Sequence, residues 1–420
     1  VKKILIIQPY RLGDVLQTTP VLQALKVKYG DVSIDFVVDS ACAVAIRGNP
    51  YVSRLIVLPR KSIQDNGRKN AIAGFRELYA FLGEILQTRY DLAVNYNFDE
   101  PGGILLKECD AVEKRGVMFH RGKFEMNDPW TKYLFAIIKS RQYSFINITD
   151  IFKLMAGVGG IRSSLYLKTG PGEAAIRAKF LDFSETRPVV ALQGFASRME
   201  RSFSPAENAE LIRKLSSKYN VALLGAAGEE KYMPGLKDTG SFRNLTGKTT
   251  LEELSSVIGN CGLLITPDTF AMHAAAALGT PAAAVFKAGA WPFETAPYAS
   301  GVKIIFSSDK CAPCNFPETC GNKRCGSEIT PEFMFCIAEN ILEKKDQPTA
   351  SGNLKILESK KEGLLSFDME HLEKILSIIE ANGLISGGKM PIIPVKRELR
   401  DTISAFLSGM RNLEADLKRN

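Results

Sequence analysis

Short apolar runs separated by helix-length amphipathic segments fill most of the first 340 residues. Residues 4–7 (ILII) form the first run; a loop carrying Gly13 and Asp14 follows, then apolar positions at helical spacing from 15 to 29. Further runs at 33–38, 55–58 and 91–96 alternate with a second helical stretch over 73–89. Strands that alternate with helices predict βαβ units and a parallel sheet. After a less regular stretch near 150–186 the alternation resumes, with strand runs at 189–192, 221–224, 263–265 and 282–286 and helices over 206–219, 251–258 and 273–278. The pattern predicts an α/β chain of two doubly wound domains facing a cleft, over residues 1–170 and 185–344.

Beyond 345 the pattern changes. KDQPTASGN (345–353) reads as a linker, and helices are expected near 354–364 and 368–381 and from about 396, making 354–420 a helical C-terminal extension. In its last helix Leu399, Ile403, Phe406, Met410 and Leu413 alternate spacings of four and three. Such a seam calls for a partner helix, in this chain or in a second copy, so a homo-oligomer is a candidate state.

Composition adds limits. A chain of 420 residues exceeds a single core, and 45% apolar with 24% charged residues is ordinary for a globular protein. No apolar run reaches the ~18–20 residues that span a bilayer, and the apolar stretch at the start is too short for a signal peptide, so a cytoplasmic protein is expected. The net charge of +8 is uneven: residues 1–150 hold 21 Lys/Arg against 16 Asp/Glu, residues 185–340 hold 15 against 16. The basic clusters Arg60-Lys61, Arg68-Lys69, Lys114-Arg115 and Arg121/Lys123 suit an anionic acceptor or an anionic membrane surface; a solvated face is the alternative. No nucleic-acid partner is expected.

Two features carry chemistry. An opening strand of an α/β domain lies deep in its sheet, so Asp14 at its C-terminal edge belongs in a ligand site, unless it only caps the following helix. In residues 244–286 a buried strand runs into Asp268 and Thr269 and an Ala-rich helix begins at once. The unpaired N–H groups of that first turn and the helix dipole make an anion or diphosphate site, to which Thr269 adds a hydroxyl. His273 lies one turn on, on the same face, as a ligand contact or as a structural histidine.

The string PDTFAMHAAAALGTP (267–281) resembles the donor-binding signature of glycosyltransferase family 9, the ADP-heptose:lipopolysaccharide heptosyltransferases, and RLGDVLQTTPVLQALK (11–26) resembles its N-terminal signature. The similarity continues through GNPYVSRLIVL (48–58), YDLAVNY (90–96), FASRMERSFSP (195–205), LLGAAGEE (223–230) and LTGKTTLEEL (245–254), covering roughly residues 1–340. It implies a GT-B architecture of two Rossmann-like domains, the first binding the acceptor and the second the nucleotide sugar. It also implies inverting transfer of heptose from ADP-heptose to an inner-core lipopolysaccharide acceptor, at the inner-membrane surface of a Gram-negative-type bacterium. By that resemblance Asp14 is the general base, Ser197 and Arg201 meet the diphosphate with Arg198 as a competitor, and Glu229 holds the ribose hydroxyls. Asp268, Thr269 and His273 complete the donor contacts, and Arg11 and Arg60 are placed as acceptor contacts. For Glu229, a solvated residue opening a helix is the alternative.

The chain departs from the family at Phe270, where relatives commonly carry Gly after the Asp-Thr pair; a side chain there narrows or redirects the donor site. A protein or other glycan acceptor, or a non-catalytic sugar-nucleotide scaffold, are the competing functions. An NAD-dependent oxidoreductase is excluded because QPYRLGD, not GxGxxG, follows the first strand. The chemistry requires no cofactor. Four cysteines (42, 109, 261 and 336) are scattered among apolar residues as reduced thiols, whereas Cys311, Cys314, Cys320 and Cys325 form C-x2-C-x5-C-x4-C. That spacing suits a structural Zn or Fe centre, with reduced thiols or a disulfide as alternatives; similar loops occur in family 9, some with iron.

Overall fold

The computed structural model describes residues 1–359 except 138–140, 142–143, 145, 310, 315–319, 321–323 and 351. The seam from Leu399 to Leu413 and the expected helices at 368–381 and from 396 lie outside the described residues. Two compact units divide the rest, one ending at Ser164 and the other beginning at Leu165.

The first unit is built on β1 (Lys3–Ile7), β2 (Ser33–Asp39), β3 (Arg54–Leu58), β4 (Arg89–Asn95), β5 (Asp110–His120) and β6 (Lys123–Met126), in the order β3-β2-β1-β4-β5-β6. All pairs are parallel except β5–β6. In β1, Ile4, Leu5, Ile6 and Ile7 are wholly buried, as a central parallel strand covered on both faces requires. Leu5, Ile7 and Val37 pack with Phe81, Ile85, Tyr90, Leu105 and Leu106 into the core of one sheet face.

The helix expected over 15–29 is two helices, α1 (Leu12–Gln17) and α2 (Thr19–Tyr29). The break falls at Thr18, whose hydroxyl donates to the Asp14 carbonyl at 2.8 Å, and Pro20 sits in the first turn of α2, where its missing N–H costs nothing. Two further helices, α3 (Arg60–Lys69) and α4 (Ala71–Leu86), connect β3 to β4. The helix expected over 73–89 therefore ends earlier, and Arg89 already opens β4.

The second unit holds β7 (Val189–Gln193), β8 (Asn220–Leu224), β9 (Phe242–Asn244), β10 (Leu263–Pro267), β11 (Ala282–Phe286), β12 (Val302–Ser307) and β13 (Leu354–Glu358), ordered β13-β12-β11-β10-β7-β8-β9. Only β13 runs antiparallel, with Ile305 opposite Ile356. The helix expected near 354–364 is thus a strand over its first five residues: LKILE is too short for periodicity to separate the two, and the open edge of β12 decides. The helices Pro205–Ser216 and Leu251–Gly259 each start in a capping box, Ser204 with Glu207 and Thr250 with Glu253. Among the described residues no helix is long and apolar enough to cross a membrane.

Candidate active site

In the first unit the chemistry gathers where β1 to β4 end, the edge at which open parallel sheets bind ligands. Arg11 is the N-cap of α1 without a side-chain cap bond, at φ 64 and ψ 99. Asp14 is the third helical residue, so it is not the cap; its carboxylate lies in the first turn, where the helix dipole favours negative charge. The Arg11 guanidinium stands 3.7 Å from Asp14 Oδ2, with Asp14 about a quarter exposed.

Arg60, the first residue of α3, donates its Nε–H to Asp39 Oδ2 at 2.8 Å, and its guanidinium lies 5.0 Å from the centre of the Tyr10 ring. Burial pushes the Tyr10 phenol up, with the Asp99 carboxylate adding to the effect and Arg60 opposing it. Cys42 sits in the same group: burial and then Asp39 push its thiol up to about 11, so it stays protonated. Asp99, the N-cap of the helix Glu100–Glu108, accepts from the Gly102 N–H at 2.9 Å. Burial raises its pKa, opposed by that bond and by the charge of Arg11. Three carboxylates (Asp14, Asp39 and Asp99) therefore accompany the two arginines. Tyr10, Asp39, Cys42 and Asp99 were not expected from sequence; the signal available was a polar residue closing a buried apolar run at each strand end.

In the second unit the corresponding edge holds the donor candidates. The loop after β7 is closed by the Ala196 N–H donating to the Ser202 hydroxyl at 2.9 Å. It leaves Ser197 and Arg198 exposed and turns Arg201 inward. Arg201 Nη1 lies 3.2 Å from Asp268 Oδ2, bringing together the ends of β7 and β10. Thr269 is the N-cap of the helix Phe270–Leu278; its hydroxyl lies 3.0 Å from that of Thr266 and does not cap the helix. Phe270 is the first helical residue, half-buried.

His273 is 3% exposed, and its Nδ1 finds no hydrogen-bond partner among the described residues. Burial alone pushes its pKa down to about 4, so the imidazole is neutral. Glu229 begins a single 3-10 turn, Glu229–Tyr232, and does not open an α-helix. Its Oε2 accepts from the Ala226 N–H at 3.0 Å, and burial raises its pKa. A Cβ on Gly225 would come within 2.8 Å of that oxygen, so Gly there keeps the carboxylate against the strand end.

The cysteine segment packs on the turn after β11, where the Cys314 N–H donates to the Ala288 carbonyl at 2.8 Å. Lys287 in this turn is buried, its ammonium 4.7 Å from the centre of the Phe203 ring. Cys311 is exposed, and Cys314, Cys320 and Cys325 are half-buried. Among the described residues no group of three or more His, Cys, Asp or Glu side chains stands close enough to hold an ion.

Residues 130–324 match the model of glycosyltransferase family 9 (heptosyltransferase). Lipooligosaccharide heptosyltransferase 2 of Haemophilus influenzae is 26% identical over 301 residues, which cover 67% of this chain and 82% of that protein. Together these matches support glycosyltransferase family 9 as the family of this chain. The chain is accordingly a glycosyltransferase; the stretch 267–281 lies inside the matched residues and 11–26 outside them. Among solved structures, a family 9 glycosyltransferase from Veillonella parvula superposes with a TM-score of 0.64 at 20% identity, covering 82% of this chain and 98% of that one. The Escherichia coli ADP-heptose lps heptosyltransferase II gives 0.58 at 18% identity, covering 81% and 99%. These likenesses give the chain its fold, the GT-B pair of Rossmann-like sheets.

Proposed function

We propose that this chain is an inverting transferase that moves heptose from ADP-heptose to an inner-core lipopolysaccharide acceptor held at a membrane surface. The observation that carries the proposal is the coincidence of relatives named heptosyltransferase with a carboxylate, Asp14, at the C-terminal edge of the central strand of the first unit. In an inverting transfer the acceptor oxygen attacks the anomeric carbon from the side opposite the leaving diphosphate while a base takes its proton. Asp14 is that base. A carboxylate is a weak base, so it acts as the hydroxyl acidifies in the transition state, which is worth roughly 10²–10⁴-fold.

Arg201, held by Asp268, offers two N–H donors to the leaving diphosphate, whose developing charge needs fixed donors. The first turn of the helix Phe270–Leu278 and the Ser197 hydroxyl add to these. Glu229 accepts from the ribose hydroxyls, and the neutral His273 supports the diphosphate turn without adding charge. Arg11 and Arg60 orient the acceptor. No step passes through a metal; a Zn or Fe centre at the cysteine segment would be structural.

Calorimetric titration with ADP, UDP and GDP tests the donor assignment, selective binding of ADP being expected. Asp14→Asn should lower transfer at least about 10²-fold and leave ADP affinity unchanged; a variant that keeps most of its turnover removes Asp14 as the base.

A further inference from the structure

α4 presents apolar side chains on two opposite faces. Its inner face carries Phe81 and Ile85, 5% and 0% exposed, with Leu78 and Leu82 packed beside them. Ile72, Tyr79 and Leu86 are 63%, 69% and 40% exposed. At ~100° per residue, steps of seven keep these three within about 40° of one another, on the side turned away from the core, in a stripe roughly 21 Å long. A helix with a filled core face gains nothing from a second apolar stripe in water.

The charges beside the stripe point to its occupant. Arg76 is exposed and lies about 40° from Ile72 on α4, and α3 exposes Lys61 and Arg68, seven residues apart and so on one face. The two helices are tied by Asn66 Nδ2 donating to Glu77 Oε2 at 3.1 Å. From 60 to 89 the sequence has six Lys/Arg against three Asp/Glu. A two-fold contact with a second copy would set these cations against themselves. Anionic lipid headgroups neutralise them, while Ile, Leu and an interfacial Tyr enter the upper acyl region.

We propose that the outward face of α3 and α4 is a bilayer-docking surface that seats the first unit on anionic phospholipid. It rests on the reading that the acceptor is a lipid-anchored glycan, and it names the face that meets the lipid. None of the six side chains belongs to the candidate active site.

Co-sedimentation of the full chain with vesicles tests it, using phosphatidylethanolamine containing roughly one quarter phosphatidylglycerol against phosphatidylcholine alone, at low and high salt. Binding is expected on the anionic vesicles only, weakening with salt. Each cation removed in Lys61→Ser/Arg68→Ser/Arg76→Ser should cost about fivefold in partitioning. Ile72→Ser/Tyr79→Ser/Leu86→Ser should cost tenfold or more, with ADP affinity and the thermal midpoint unchanged in both variants. Equal binding by wild type and both variants, or no wild-type binding, overturns the proposal. A wild-type dimer that the apolar variant dissociates gives the face to a second copy and overturns it too. Vesicle binding without ADP binding would leave the docking face standing and sink the ADP-heptose donor assignment.

Discussion

At Arg11 the backbone and the side chain make competing demands. A non-glycine residue at φ 64 and ψ 99 holds roughly 1–3 kcal/mol of strain. The Arg11–Asp14 pair does not repay it, since a side chain 80% exposed forms an ion pair worth little. The conformation instead points the start of α1 so that Asp14 emerges at the sheet edge. Arg11→Gly adopts the same φ without conflict and loses part of the gain, ~0.5–1 kcal/mol, to unfolded-state entropy. Urea denaturation should show it more stable than wild type by about 1 kcal/mol, with slower transfer because the acceptor-facing guanidinium is gone. A less stable variant would show that the surrounding contacts, not strain, govern this turn. Asp14, Arg201, Glu229 and Asp268 stand out in the sequence because each lies in a contiguous motif. The Tyr10, Asp39, Cys42 and Asp99 group does not, since it is assembled from strand ends up to 89 residues apart and exists only once the sheet is ordered.

At the scale of elements, β4 and β5 meet at a position that only glycine fits. Gly116 lies opposite Asn95 at φ +108, its N–H donates to Asp128 Oδ2 at 2.8 Å, and a Cβ would fall 2.1 Å from the Asn95 carbonyl oxygen. Gly116→Ala must therefore push β5 off β4, and thermal unfolding should show a loss of at least ~3 kcal/mol. The buried strands were legible because their runs are almost wholly apolar; β5 was not, since DAVEKRGVMFH mixes charged and apolar positions and has its open side covered only by β6. α3 was equally hidden: RKSIQDNGRK has one aliphatic residue, Ile63, and its place is set by packing on α4.

Across the whole molecule, acid should act first through a histidine. The folded-state pKa of His273 is about 4 against an ordinary 6.5, so the folded chain prefers the neutral ring. The stability this confers is complete above pH 6.5 and is lost as the pH falls through that value toward about 4, a span worth on the order of 3 kcal/mol. The difference in stability between wild type and His273→Gln should therefore fall against wild type from pH 7 to pH 4; a constant difference would mean that the ring is hydrated in the folded state.

The antiparallel strand β13 bears on how the chain can be divided. The alternation of strands and helices suggests an end to the second domain at 344, yet Leu354–Glu358 still belongs to its sheet. A protein shortened to 344 would bare the hydrogen-bonding edge of β12, whose Val302, Ile304, Ile305 and Phe306 are at most 6% exposed in the intact chain. An uncovered apolar edge of that kind templates pairing between molecules. Aggregation of such a fragment would therefore report a missing edge strand rather than a missing catalytic or oligomerising segment.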